Sequence, residues 1–380
     1  MRVLFLSEFF RPFVGGIEVL AAKLLPALDQ RGYEFLVVTS HGPMELADED
    51  RLGDIRVLRY PFRPAFTAKA IDQIIELRRS LLTVARDYDP DVIHLNGASP
   101  LLLFTLPLLA ATRAPVLLQL HLELLGSQTD GTDTLLERVL RRADWVTSVS
   151  AAALAQARSL LPDLAGRSSV LPNAVDPPPL PPTDLPLEPP CILCLGRVTH
   201  QKGFDLAVRA FAALAAQFPG LRMRVAGDGD QRPELEDLAA ALGVAERVEF
   251  TGWIPPDRVP ALINEATVVL MPSRHEGMPL VAIQAAWMSR PVVATRVGGL
   301  HEVVRHGETG LLVDAEDLGG LTDALAWLLK RPHGAVRMGA AARALMQQSF
   351  GWDACVDAYD ALYQQLAAGS SLQRLRVVPV

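Results

Sequence analysis

In Cys194-Leu-Gly196-Arg197-Val-Thr-His-Gln-Lys202-Gly203 an arginine and a lysine occupy one loop directly after a short apolar run. A fork-shaped guanidinium and a flexible ammonium placed in this way suit a departing diphosphate, whose growing negative charge they can neutralise without a metal. The competing reading is a solvated basic loop. Further along, Arg274-His275-Glu276-Gly277-Met278-Pro279-Leu280 leaves a second apolar run and enters a helix. Glu276 offers a carboxylate to sugar hydroxyls, while amides near Leu280 and Val281, at the helix start, can face a diphosphate. Gln284, eight residues after Glu276, falls about one turn inside that helix and within reach of a ribose. Exposure without a role is the simpler reading of a lone helical glutamine.

The N-terminal half carries fewer such residues. Phe13-Val-Gly15-Gly16-Ile-Glu18 turns from a strand into a helix, and its bare amides could receive a phosphate or serve only as a structural turn. His121 directly follows the apolar run Val116–Leu120, where a lone histidine is either functional or filler. Thr295-Arg-Val-Gly298-Gly299-Leu-His-Glu302 is another glycine turn after a strand, and Gly227-Asp-Gly229 reads as a structural turn.

These residues need a frame that presents loops side by side. Short runs rich in Val, Leu and Ile, at 3–7, 34–39, 92–95, 116–120 and 145–150, alternate with longer amphipathic segments. The pattern returns at 192–195, 222–226, 248–251, 267–272, 292–295 and 310–313. Alternation of this kind predicts βαβ units and two parallel sheets, with ligands bound beyond the carboxyl ends of the strands. Between the two halves lies Asp176-Pro-Pro-Pro-Leu-Pro-Pro-Thr-Asp-Leu-Pro-Leu-Glu-Pro-Pro190, whose prolines lack the donors of a helix or central strand. The expected organisation is therefore a Rossmann-like domain at 1–175, a linker at 176–190, a second Rossmann-like domain at 191–350 and a C-terminal helical segment at 351–380. Two such domains imply a cleft. Helical pattern resumes at Leu321 and runs to about Ala368, with breaks near 332–334 and 350–351, before an apolar tail at 375–380.

With 380 residues, half of them apolar and about a fifth charged, the chain has enough material for two cores. A net charge of -7 supplies no basic face for nucleic acid. Three cysteines make no disulfide framework, and the Cys191-Ile-Leu-Cys194 spacing lies on a strand, where residues three apart point to opposite faces rather than to one metal. No metal site and no cofactor are expected. The N-terminal apolar run is too short for a signal peptide, and the stretch 101–111 is shorter than the roughly 20 residues of a membrane span, so a reduced, cytoplasmic setting is expected.

Taken together, the motifs resemble glycosyltransferase family 4, a large retaining family of the GT-B fold. The matched elements run in family order: Gly15-Gly16-Ile-Glu18, His121, Leu171-Pro-Asn173-Ala-Val-Asp176, Gly196-Arg197 with Lys202-Gly203, and Val225-Ala-Gly227-Asp-Gly229. They continue through Phe250-Thr-Gly252, Pro272-Ser273 with Glu276-Gly277-Met-Pro279-Leu280, Gly298-Gly299 with Glu302, and Gly307-Glu-Thr-Gly310-Leu-Leu-Val313. The resemblance implies two Rossmann-like domains facing across a cleft and retaining, metal-independent transfer from a nucleotide-sugar, which is a substrate and not a cofactor. It implies that Arg197 and Lys202 hold the diphosphate, Glu276 the sugar hydroxyls, and that His121 lines the reaction centre. The turn Gly15-Gly16, the segment Gly252-Trp253-Ile254, the run Gly277-Met278-Pro279-Leu280-Val281 and Gln284 would bind the rest of the donor, a UDP- or GDP-sugar. It further implies a C-terminal helix, about 353–366, returning to the N-terminal domain. The acceptor would be a glycan, a lipid-linked intermediate or a small molecule, compatible with peripheral contact at the cytosolic face of a membrane. Two positions depart from the family pattern: Gln284 stands where a second glutamate is usual, and Asn96 where many relatives have histidine. Gln keeps an acceptor oxygen but loses the charge. An epimerase or phosphorylase on a similar scaffold, and a catalytically silent nucleotide-sugar-binding or scaffolding subunit, are the rival readings.

Overall fold

The computed structural model describes residues 1–42, 44–122 and 134–369. It divides into two compact units, one formed by Met1–Pro172 with the C-terminal segment from Asp353, the other by Asn173–Trp352.

The N-terminal unit is built on eight strands. In chain order its elements are β1 (Arg2–Ser7), α1 (Gly16–Asp29), β2 (Glu34–Ser40), β3 (Glu49–Leu52), β4 (Ile55–Tyr60), α2 (Phe62–Thr67), α3 (Ile71–Tyr88), β5 (Val92–Asn96), α4 (Leu102–Ala111), β6 (Val116–Leu120), α5 (Leu135–Arg142), β7 (Trp145–Ser148), α6 (Ala151–Leu160) and β8 (Ser168–Val170). The sheet order is β3-β4-β2-β1-β5-β6-β7-β8, parallel except for the β3–β4 hairpin. Apart from exposed Glu34 at the start of β2, the central strands β2, β5 and β6 are buried throughout, as strands covered on both faces require. Strand seven is shorter than the run 145–150 predicts, because Ser150 leaves the ladder to cap α6, accepting from the Ala153 amide.

The C-terminal unit contains β9 (Cys191–Leu195), α7 (Phe204–Ala215), β10 (Arg222–Ala226), α8 (Arg232–Ala241), β11 (Val248–Gly252), α9 (Val259–Asn264), β12 (Val268–Met271), α10 (Leu280–Trp287), β13 (Val292–Thr295), α11 (Leu300–Val303), β14 (Gly310–Val313), α12 (Leu318–Leu329) and α13 (Pro332–Ser349). Its six strands are all parallel, in the order β11-β10-β9-β12-β13-β14. In each sheet the chain reverses direction of growth beside its first strand, between β1 and β5 and between β9 and β12. Such reversals open a crevice at the carboxyl ends of the strands.

The proline-rich segment is stitched to the C-terminal unit. Arg290, fully buried, donates to the backbone oxygens of Thr183, Asp184, Asn264 and Met288 and to Thr183 Oγ1. Asn264 receives the Thr183 amide and donates to the Pro181 oxygen, and Thr267 Oγ1 donates to the Pro186 oxygen. Side chains from the unit thus satisfy carbonyls that prolines cannot pair in a ladder.

The last helix, α14 (Trp352–Ala367), packs within the N-terminal unit. Tyr363 meets His94 on β5 at 2.6 Å, and Asp360 accepts from the Tyr33 hydroxyl at 2.5 Å and from Arg31 at 3.2 Å. Gln119 lies 3.1 Å from the other ring nitrogen of His94, its Oε1 accepting, so Nδ1 takes the Tyr363 proton. The apolar run 375–380 lies outside the described residues. Among those residues no helix is long and apolar enough to cross a membrane.

Candidate functional site

Three loops of the C-terminal unit gather at the reversal between β9 and β12. The first, 196–203, leaves β9 and ends in a short turn, His200–Lys202. The second, 272–279, leaves β12, and the third, 296–299, leaves β13. Their backbones are bonded to one another: the Arg274 amide donates to Gln201 O at 2.8 Å, Gln201 Nε2 to His275 O at 2.9 Å, and the Gly299 amide to Gly277 O at 2.5 Å.

Glycine makes this closeness possible. A Cβ at Gly203, where φ is +64°, would stand 2.0 Å from Pro272 O, and one at Gly298, where φ is +51°, 1.8 Å from Glu276 O. Both contacts are with backbone, which cannot swing aside. Gly227 and Gly229 brace the first loop from behind, their would-be Cβ atoms 1.8 Å from Gly196 O and 2.2 Å from Val198 O. The G-x-G turn is structural in this concrete sense.

Lys202 and Glu276 face each other across the first two loops, Nζ to Oε1 at 2.6 Å. Glu276 is 4% exposed, and Ser273 Oγ donates to the same Oε1 at 2.7 Å. Both bonds converge on one oxygen, so Oε2 has no hydrogen-bond partner among the described residues. Arg197 is exposed and forms no ion pair or side-chain hydrogen bond with them. Arg274 turns away from this centre to grip Asp205 with two parallel bonds of 2.8 and 3.0 Å, and Glu316 at 2.6 Å. Burial alone would raise the Asp205 carboxyl, but the hydrogen bonds and charge of Arg274 hold it below the usual range. Arg274 also donates to His200 O, which ties the lysine-bearing turn to the strand-end loop.

The first turn of α10 carries the amides of Leu280 and Val281, which have no partner inside a helix that begins there. Gln284, half-buried, sits one turn on along this helix. Asn173 Nδ2 donates to Met278 O at 2.7 Å and fixes the approach to Pro279, the residue that precedes the helix. Gly252 ends β11 with φ +72°, and the next residue, Trp253, is 56% exposed, an accessible ring beside half-buried Ile254. Glu276, Gly277, Met278, Pro279 and Leu280 therefore share one loop and helix start with Lys202 bound to it, while Gly252–Ile254 belong to a different strand end.

In the N-terminal unit His121 is buried just past β6, with Nε2 2.7 Å from Asn96 Oδ1. Asn96 Nδ2 donates to Ser7 Oγ at 3.1 Å, and Ser7 Oγ donates to Phe9 O. The chain therefore spans the β1–β5 reversal. Asn96 accepts, so the proton of His121 lies on Nε2, and buried Nδ1 is an acceptor with no hydrogen-bond partner among the described residues. Burial lowers the His121 imidazole to about 3. Beside β1, both buried carboxylate oxygens of Glu8 lack hydrogen bonds among the described residues, and Arg63 Nη1 lies 3.7 Å from Oε1. Gly15 caps α1, and a Cβ there would meet Glu18 Oε2 at 2.3 Å, so this turn already has a carboxylate folded against it.

Asp205 and Glu8 were not among the residues singled out by sequence, and Ser273 entered only as part of the matched element Pro272-Ser273, with no role assigned. Ser273 had a signal, three residues before Glu276 in one loop; Asp205 had none, since its partner lies 69 residues away. Among the described residues no three His, Cys, Asp or Glu side chains cluster as metal ligands would.

A family model described as Glycosyltransferase Family 4 matches residues 14–179, and one described as Glycosyl transferases group 1 matches 189–331. The GDP-mannose-dependent alpha-(1-6)-phosphatidylinositol monomannoside mannosyltransferase of Mycobacterium tuberculosis is 30% identical, over 93% of this chain and 95% of its own length. The 2-deoxystreptamine N-acetyl-D-glucosaminyltransferase of Streptomyces fradiae is 31% identical, over 85% and 87%. Among solved structures, sucrose-phosphate synthase of Thermosynechococcus elongatus superposes with a TM-score of 0.84 at 24% identity, covering 97% of this chain and 100% of that one. Anabaena HepE in complex with UDP gives 0.74 at 20% identity, covering 96% and 100%. Both share the fold. With this fold, the Lys202–Glu276 centre and relatives matched along nearly its whole length, the chain is a GT-B glycosyltransferase and belongs to glycosyltransferase family 4.

Proposed function

We propose that this glycosyltransferase takes a hexose from a nucleoside-diphosphate sugar and transfers it with retention at the anomeric carbon, without a divalent metal. The observation that carries the reading is the centre at the β9–β12 reversal, where Lys202 pairs with Glu276 on the loop that enters α10 and Arg197 stands exposed in the loop that carries Lys202. Arg197 and Lys202 would stabilise the diphosphate as its charge grows, with the Leu280 and Val281 amides supplying further donors. Glu276 Oε2 would accept from donor-sugar hydroxyls, and Gln284 from the ribose. Trp253 and its neighbours Gly252 and Ile254 would border the nucleoside. In the transfer, the bond from the anomeric carbon to the diphosphate oxygen breaks as the acceptor oxygen bonds on the same face. The acceptor proton passes to the departing phosphate.

On the N-terminal unit, neutral His121 offers an acceptor nitrogen toward a hydroxyl, and the Gly15–Gly16 turn offers backbone amides. The base is guanine or uracil: one relative is named as GDP-mannose-dependent, and a fold neighbour was crystallised with UDP. The acceptor is a glycan or lipid-linked intermediate rich in hydroxyls, presented at the cytosolic face of a membrane. The relatives named for phosphatidylinositol monomannoside and 2-deoxystreptamine support a polyhydroxylated ring as the accepting end.

The test is nucleotide release from a panel of UDP- and GDP-sugars in excess EDTA, with the anomeric configuration of the product read by NMR. Turnover should persist and the configuration of the donor should be kept. Activity lost with EDTA and restored by magnesium or manganese would overturn the leaving-group assignment, and an inverted product would overturn the same-face mechanism.

A further inference from the structure

Lys202 and Glu276 are each assigned to the donor in the reading above. In this structure they serve each other: Nζ lies 2.6 Å from Oε1, with the lysine side chain 16% and the glutamate side chain 5% exposed. We propose that this ion pair is a product-release device, opened by an intact nucleotide-sugar and closed again against the nucleoside diphosphate left after transfer. The inference rests on the donor-site reading above.

Each partner loses something when the pair opens. A Lys202 that turns from Glu276 to a diphosphate leaves behind a buried carboxylate with only Ser273 Oγ at 2.7 Å. A carboxylate so enclosed and so poorly paired is costly. An intact donor brings the compensation with it, because sugar hydroxyls donate to Glu276 while phosphate oxygens take the ammonium. A nucleoside diphosphate brings only the second half. Glu276 then competes with the phosphate for Lys202, and exposed Arg197 is left as the cation free to hold the product. Once the sugar has gone, the pair re-forms and the product is released. Ser273 acts as a positioning residue: by donating to Oε1, the oxygen that holds Lys202, it keeps Oε2 available for a hydroxyl.

Calorimetry tests this with UDP and GDP against wild type, Glu276→Gln and Glu276→Asp. The glutamine variant removes the charge. The aspartate variant keeps the charge but withdraws it by one methylene, so it breaks the contact without relieving general repulsion of an anion. Both should bind the nucleoside diphosphate more tightly than wild type although transfer is lost, glutamine by about 10-fold, the scale of one charge-assisted hydrogen bond, and aspartate by about 3-fold. Aspartate at or below wild-type affinity would overturn the proposal even if glutamine shows a gain. Wild type needs no variant: without acceptor, the intact donor should bind about 10-fold tighter than its own nucleoside diphosphate. Equal affinities would also overturn it. If wild type binds no nucleotide at all, the donor-site reading itself has failed, an outcome distinct from nucleotide binding that ignores Glu276.

Discussion

The carboxyl edges of the two sheets differ in how their polar groups are settled. In the C-terminal unit Lys202, Glu276, Ser273, Arg274 and Asp205 are all paired within the unit, on loops held by glycines. In the N-terminal unit both oxygens of Glu8 and Nδ1 of His121 are buried without hydrogen bonds among the described residues, Arg63 standing 3.7 Å from Glu8. A buried polar group without a partner calls for an explanation, and ligand contact is one. The difference separates a preorganised edge, suited to a fixed leaving group, from an edge whose polar groups would be satisfied by an acceptor.

The largest effect expected from breaking this contrast is on turnover. Arg197→Ala and Lys202→Ala should each lower turnover by about 100-fold or more at saturating donor; exposed Arg197→Ala should leave the melting temperature nearly unchanged, whereas Lys202→Ala, which strands the buried Glu276 carboxylate, should lower it. Wild-type turnover in either variant would remove that residue from the stabilising role.

Glycines sharpen the contrast in stability. Gly203→Ala and Gly298→Ala meet backbone oxygens at positive φ and should each cost about 2–4 kcal/mol by denaturant unfolding. Gly15→Ala meets only the far end of the Glu18 side chain, which can turn away, and should cost less than about 1 kcal/mol. Equal losses at Gly15 and Gly298 would mean that the C-terminal loops are not specially locked.

A pH effect should belong to the N-terminal unit. Burial, with the nearby His121 adding to it, lowers His94 to about 3, and burial lowers His121 to about 3, from an ordinary value of 6.5. Both are neutral in the folded unit and take protons more readily when unfolded. Their contribution is therefore complete above about pH 6.5 and is lost as pH falls toward 3, by roughly 1 kcal/mol per pH unit for each histidine. Hydrogen exchange at β5 and β6 should accelerate over this window, and His94→Gln should flatten the response. An unchanged slope in that variant would show that His94 is not a source.

The smallest effect is expected at Gln284. Gln284→Ala should raise the donor Michaelis constant about 3- to 10-fold with turnover held, the scale of one neutral hydrogen bond. Gln284→Glu should tighten the nucleoside diphosphate if the side chain faces the ribose. Three indistinguishable affinities would reduce Gln284 to a helix-surface residue.

The sheets were legible in the sequence because their central strands are continuous apolar runs. The hairpin strand Glu49–Leu52 was not, being mostly charged and exposed on the sheet edge, and Ile55–Tyr60 was hidden by Arg56 and by Arg59, whose buried guanidinium reaches Asp50 and the oxygen of Arg11. Three-residue β8 is too short to show a period. At the candidate site the residue types and their loops could be read, but their pairing could not. Lys202 and Glu276 are 74 residues apart and meet through the adjacency of β9 and β12. That Gly298 supports Glu276 likewise depends on neighbouring strand ends, and local spacing carries no trace of it.

The docking of α14 bears on how the chain must be made. His94 finds its partner Tyr363 only 269 residues later. At roughly 5–20 residues per second, a nascent N-terminal sheet would wait on the order of 15–50 s for that helix, synthesising the whole second unit meanwhile. During that interval Tyr33, Phe35 and His94, which α14 covers in the finished protein, face the surroundings of the ribosome. The first unit to emerge is thus completed only after the second has been synthesised.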